Sequence, residues 1–219
     1  MMDIGQGIEQ LSIALIPMLL GIICHEVAHG YVAYILGDPT AKYQGRLTLN
    51  PISHIDATGA MIFLFSSLFT PFSLGWAKPV PIDPRYFSNI RKGLLLVAVA
   101  GPVMNIIVAI IFAIALKLSM LYDGVIISEN TTVFIYRMLM AGIFINVLLA
   151  VFNMLPIPPL DGSKVLSYFL PRTVAYQYES WGRFGFIILL FCIVLGVVRA
   201  IVLPITNSIV LFIVRILLE

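Results

Sequence analysis

Long apolar runs alternate with short polar stretches along this chain. The first run, residues 10–36, predicts a helix closed by Gly37-Asp38-Pro39, a strong terminator. Residues 40–56 are polar and mixed. Residues 58–72 are apolar but short, and Pro71 interrupts them. Between Gly75 and Lys92, Pro79, Pro81 and Pro84 preclude a regular helix. A third apolar run, 93–121, holds Gly101-Pro102, and the proline should kink that helix and free a carbonyl. After a polar loop at 122–131, residues 132–155 predict another helix, ending against Pro156-Ile157-Pro158-Pro159. A second polar stretch, 160–183, precedes two apolar segments, 184–203 and 205–218, divided at Pro204. Internal repeats and low-complexity tracts are absent from the sequence.

Composition places these runs in a bilayer. Sixty percent of the 219 residues are hydrophobic and 11% charged, with a mean hydropathy of +1.03. Soluble domains carry about 25% charge. The fold class expected is therefore an all-α polytopic membrane protein forming one domain over 1–219, with C-terminal helices at about 184–219. The sequence lacks a basic stripe, so nucleic acid is not an expected partner; the lipid bilayer is. The first run lacks a charged n-region and a small-residue cleavage site, so it reads as a retained helix. Cys24 and Cys192 lie in apolar segments and read as buried thiols, not as a disulfide.

Positive charge orients the chain. Lys42 and Arg46 precede the 58–72 segment, and Lys78, Arg85, Arg91 and Lys92 follow it. Both basic loops lie inside only if that segment enters the membrane and returns. The loop with Asp123 and Glu129 then falls outside, and Lys164, Arg172, Arg183 and Arg215 fall inside. Five spanning helices are expected, with a re-entrant or irregular element around 58–92 and the N-terminus outside. Six helices follow if 58–72 spans.

Candidate chemistry sits inside the first run. His25-Glu26-Val27-Ala28-His29 places two imidazoles at i and i+4 on one helix face, where they can grip one metal ion. Glu26 is turned toward the same side. Ionisable groups are expensive in a bilayer, so such a cluster points to function. Catalytic zinc takes three protein ligands and an open position. Asp161 is the best third candidate, since the prolines before it rigidify the chain and Gly162 permits a tight turn. His25 lies roughly 16 Å from the inner end of its helix, so the two meet only if the proline-bound segment folds back into the membrane. The alternative is an ordinary Asp-Gly turn. Asn105 and Asn153 could donate to a substrate backbone or an oxyanion, or bridge helices. Asn146, seven residues before Asn153, reads as interhelical glue. His54 and Asp56 could line a water entrance or brace a ligand, against a plain solvated loop. Residues 75–81 could present an extended edge to an unwound substrate, or form a juxtamembrane turn anchored by Trp76 and Lys78.

These motifs resemble the site-2 protease family of intramembrane zinc metalloproteases. Its signatures are HExxH on one membrane helix and Asn-x-x-Pro…Leu-Asp-Gly on a later one. Here they stand as His25 to His29 and as Asn153-Met154-Leu155-Pro156…Leu160-Asp161-Gly162. Ala100-Gly101-Pro102-Val103-Met104-Asn105 and Gly75-Trp76-Ala77-Lys78-Pro79-Val80-Pro81 look like the compact subgroup that lacks a PDZ or CBS domain. The resemblance runs from about residue 20 to 164, within a motif-bearing core of about 10–165. It implies one Zn2+ per chain held by His25, His29 and Asp161, with Glu26 as general base. The implied substrate is a transmembrane protein cut in or near its membrane segment. A multi-pass protein of the prokaryotic plasma membrane, with its site toward the cytoplasmic side, is the expected setting. The competing readings are a zinc-binding membrane transporter and an inactive protease relative that binds partners.

Overall fold

A computed structural model describes residues 4–59, 61, 62, 65, 77–121 and 129–218. Every regular element among them is helical. Helix α1 spans Ile4–Ile35 and α2 Thr40–Tyr43; 3-10 turns follow at Pro51–His54 and Pro84–Tyr86. Then come α3 (Ile90–Leu121), α4 (Glu129–Asn153), α5 (Asp161–Phe169), α6 (Arg172–Ser180), α7 (Gly182–Val194) and α8 (Val197–Leu218). The chain is an all-α polytopic membrane protein, and four described helices, α1, α3, α4 and α8, are long and apolar enough to cross a bilayer.

Helices α1, α3 and α4 pack pairwise against one another, and α8 closes on α4 and α3. Their shared core joins Ala109, Phe112 and Leu116 of α3 to Ile143 and Val147 of α4 and Ile213 of α8. On the opposite face of α3, Ile107, Ile111, Ile114 and Leu118 are exposed. That spacing is one helical stripe, and an apolar stripe without a protein partner suits lipid. Helix α1 ends as its sequence predicts. The Asp38 amide reaches back to the Ala33 carbonyl and the Gly37 amide to Tyr34, the Schellman pattern, with Gly37 at φ +105°.

The C-terminal apolar stretch divides differently from the expectation. The break falls at Gly196, whose φ of +74° suits a residue without a Cβ, and Pro204 lies inside α8. A proline removes one helical hydrogen bond, the one to the carbonyl four residues before it, a loss that a long membrane helix tolerates. Helix α7 has 13 residues, about 20 Å, short of a hydrocarbon core of about 30 Å. The polar stretch 160–183 folds as α5 and α6 rather than as a loop. Most of the 58–76 segment, and with it the choice between re-entry and spanning, lies outside the described residues. The irregular backbone beyond it continues from Ala77 to Asn89.

Candidate metal centre

His25 and His29 stand one turn apart in the C-terminal half of α1, both buried. Their Nε2 atoms approach to 2.9 Å. Asp161 Oδ2 lies 3.1 Å from His25 Nε2 and 3.3 Å from His29 Nε2. The proline segment does fold back: α4 ends at Asn153, and Asp161 opens α5 beside the histidines. Gly162 makes this return tight, because a Cβ there would collide with the Met154 carbonyl oxygen.

The triangle has the size and polarity of a cation site. Ligands about 2.0–2.1 Å from a tetrahedral zinc stand roughly 3.3 Å apart, and the observed edges run from 2.9 to 3.3 Å. The second nitrogen of each ring faces an oxygen. His25 Nδ1 is 2.6 Å from Asn105 Oδ1 and His29 Nδ1 is 2.7 Å from the Val97 carbonyl. Each Nδ1 is therefore the protonated nitrogen, and each Nε2 offers a lone pair to the triangle. Asp161 Oδ2 is buried without a hydrogen-bond donor. Three converging acceptors repel one another unless a cation joins them. Gly101 of α3 completes the cradle, since a Cβ there would lie 2.5 Å from His29 Nε2 and 2.6 Å from His25 Nε2.

The orientation of Asn105 is fixed by its neighbours. Its Nδ2 donates to the Gly21 carbonyl at 3.0 Å and to Asn146 Oδ1 at 3.2 Å. Asn146 Nδ2 in turn donates to the Gly142 carbonyl at 2.9 Å. Oδ1 of Asn105 is thereby left for the His25 N–H. Both amides are fully buried. Asn146 bridges helices, as its sequence position suggests. Asn105 has both amide hydrogens committed to protein oxygens, so it braces His25 instead of offering a donor to substrate.

Glu26 accepts the Val80 amide on Oε2 at 2.8 Å. Residues 77–83, which carry that amide, are tied down at several points. Ala77 bridges Ile55, and the Lys78 amide donates to the His54 carbonyl at 2.9 Å. The buried Arg46 donates through Nη2 to the Lys78 carbonyl at 2.6 Å. The Asp83 amide donates to Asp38 Oδ2 at 2.7 Å. Beyond that tie, the Arg85 guanidinium holds the Asp83 carboxyl below its ordinary range. Gly75 and Trp76 lie outside the described residues. His54 is buried, not solvated: its Nε2 faces the Thr48 carbonyl at 2.8 Å, and it props this loop rather than a ligand. Asp56 caps the backbone at Gly59.

A cavity of about 200 Å³ opens beside His25 and Glu26. Its polar wall includes Asn105 and Asn153, and its apolar wall is Ile22, Ala77, Leu149 and Phe152. Asn153 Nδ2 donates to the Leu149 carbonyl at 3.0 Å, which leaves it a second hydrogen. The Val80 N–H and the Val97 carbonyl are not legible in the sequence, because a main-chain donor or acceptor carries no residue-type signal. One trace existed: between Pro79 and Pro81, only Val80 has an N–H. Both cysteines are free.

Similarity to known proteins agrees with this geometry. The family described as Peptidase family M50 matches residues 118–195. A Bacillus subtilis protein named "Putative zinc metalloprotease YwhC" is 36% identical over 193 residues, covering 88% of this chain and 85% of its own. "Putative zinc metalloprotease MJ0611" of Methanocaldococcus jannaschii is 31% identical over 161 residues, 71% of this chain and 70% of its own. "Putative zinc metalloprotease Rip2" of Mycobacterium tuberculosis is 30% identical over 154 residues, 68% of this chain and 53% of its own. No solved structure matches significantly. The chain belongs to peptidase family M50, the site-2 protease family. It is a zinc metalloprotease of multi-pass membrane type.

Proposed function

We propose that this protein is an intramembrane zinc endopeptidase that hydrolyses a peptide bond in or near a transmembrane segment of another membrane protein. The observation that carries this reading is the triangle of His25 Nε2, His29 Nε2 and Asp161 Oδ2, with edges of 2.9 to 3.3 Å, beside a cavity that Glu26 also lines. The three side chains would hold one Zn2+. Zinc held there supplies a Lewis acid that brings the pKa of water toward ~7 and polarises a carbonyl.

Glu26 is the general base. Val80 holds Oε2, so Oε1 takes the proton of the attacking water and returns it to the leaving amine nitrogen. Asn105 and the Val97 carbonyl keep each histidine in the tautomer that presents Nε2. Asn153 donates its remaining amide hydrogen to the substrate backbone. A peptide bond within a helix is shielded by the helix's own backbone hydrogen bonds. The substrate therefore enters as an unwound segment, which frees its scissile carbonyl from helical hydrogen bonding. The distribution of basic loops supports a site toward the cytoplasmic side of the cell membrane.

The test pairs metal content with cleavage. Wild type, Glu26→Gln and Asp161→Ala are purified in detergent, assayed for zinc, and incubated with a panel of single-span membrane proteins. Wild type carries about one zinc per chain and cuts within the span. Glu26→Gln keeps zinc and loses cutting, and Asp161→Ala loses zinc. Equal zinc in all three with no cutting would refute the assignment.

A further inference from the structure

Outside the triangle, the guanidinium of Arg91, near the start of α3, reaches three main-chain carbonyls through one nitrogen. Its Nη2 lies 3.1 Å from the Ser167 carbonyl, 2.7 Å from that of Tyr168 and 2.6 Å from that of Leu170. Ser167 and Tyr168 belong to the last turn of α5 and Leu170 is its C-cap, where a helix leaves carbonyls without the usual internal partners. A cation at that end also opposes the negative pole of the helix dipole. The guanidinium further faces the Tyr168 ring, 5.8 Å from its centroid.

Helix α5 has nine residues, and its first is Asp161. A helix that short, about 13 Å long, behaves as a lever. Its near end is pressed against the Met154 and Leu155 carbonyls at Gly162, and its far end is held by Arg91. The elements that orient the other two ligands are on the same helix as Arg91. Val97 supplies the carbonyl for His29, Gly101 the space beneath both rings, and Asn105 the oxygen for His25. All three metal-binding side chains are thus aligned from one helix, α3, at positions 91, 97, 101 and 105.

We propose that Arg91 is a positioning residue for the metal centre: by capping α5 it sets where the Asp161 carboxylate stands relative to the histidine pair. This rests on the zinc reading of that site. Loss of the cap lets α5 swing about Gly162 and moves Oδ2 off the triangle. The contacts of His25 with Asn105 and of His29 with the Val97 carbonyl, which do not pass through α5, are unaffected.

The test measures metal binding, not turnover. Full-length wild type, Arg91→Ala and Arg91→Lys are stripped with a chelator and titrated with zinc and with cobalt. The dissociation constants, the cobalt absorption spectrum and the melting temperature of the metal-free proteins are recorded. Arg91→Ala should bind roughly 10- to 100-fold more weakly, the range seen when an outer partner of a ligand is removed, with an altered cobalt spectrum. Arg91→Lys, which keeps a cation at the carbonyls, should recover most of the affinity and the wild-type spectrum. A lowered metal-free melting temperature with unchanged affinity and spectrum would make Arg91 a purely structural residue and overturn the proposal. So would an Arg91→Lys variant that folds and binds no better than Arg91→Ala. If wild type itself binds no metal through His25, His29 and Asp161, the zinc reading fails, and this proposal with it.

Discussion

The Val80 amide and the Glu26 carboxylate meet at 2.8 Å, joining the loop after the second apolar segment to the HExxH helix. Val80 stands between two prolines, so it offers the single N–H of the tripeptide. Val80→Pro deletes that donor and leaves every ligand in place. A hydrogen bond to a charged group is worth about 1.5–3 kcal/mol, so cleavage should fall roughly 10- to 100-fold with zinc content unchanged. Zinc analysis beside a cleavage assay decides it; full activity in Val80→Pro would show that Glu26 needs no such anchor.

Gly101 has a different task, which is to be small. A methyl at that position would lie 2.5 to 2.6 Å from both Nε2 atoms, within the space a cation needs. Gly101→Ala should therefore abolish zinc binding although no ligand is changed. Elemental analysis of the purified variant, with circular dichroism to confirm its helices, reads this directly. Stoichiometric zinc in Gly101→Ala would mean that α3 stands further from the histidines than described.

Asn105 separates two roles that one side chain performs. Its Oδ1 accepts from His25 and its Nδ2 donates to Gly21 and Asn146. Asn105→Leu loses both and should weaken zinc affinity about 10- to 100-fold. Asn105→Asp keeps the acceptor, so it should retain more of the metal affinity while leaving buried oxygens of Gly21 and Asn146 without a donor, at about 1–3 kcal/mol each. The two variants should therefore rank differently in zinc titration and in thermal melting. Identical ranking in both assays would refute the division.

Much of this site was legible because its chemistry resides in side chains at helical spacing. His25 and His29 share a face by periodicity alone, and the Asp161-Gly162 pair after a proline run marked a place where the chain could turn back. Long apolar runs and their Gly or Pro stops located α3, α4 and the end of α1 to within about three residues, whereas α1 begins at Ile4, well before the expected residue 10. The C-terminal division was misplaced because proline is a weaker stop in a membrane helix than in water, whereas Gly196 carried no mark beyond its residue type. Arg91 read only as a topological charge, because its partners are main-chain carbonyls some 80 residues away. His54 looked solvated because nothing local announces that the irregular segment at Lys78 will bond to its backbone.

Metal removal provides the last prediction, and it follows from the repulsion within the triangle. Without a cation, two imidazole lone pairs and a carboxylate oxygen face one another at 2.9 to 3.3 Å in a buried place. Water has little room to intervene, and the rings cannot easily turn away, since Asn105 and Val97 hold their opposite sides. The metal-free protein should thus be the less stable form. A ligand that binds only the folded state adds about 2.7 kcal/mol at a hundredfold excess over its dissociation constant. Chelation should lower the melting temperature of wild type, and added zinc should restore it in a concentration-dependent way. Asp161→Ala relieves the repulsion and removes a ligand, so its melting temperature should respond to neither treatment. A wild-type protein equally indifferent to chelator and zinc would count against a metal in this triangle.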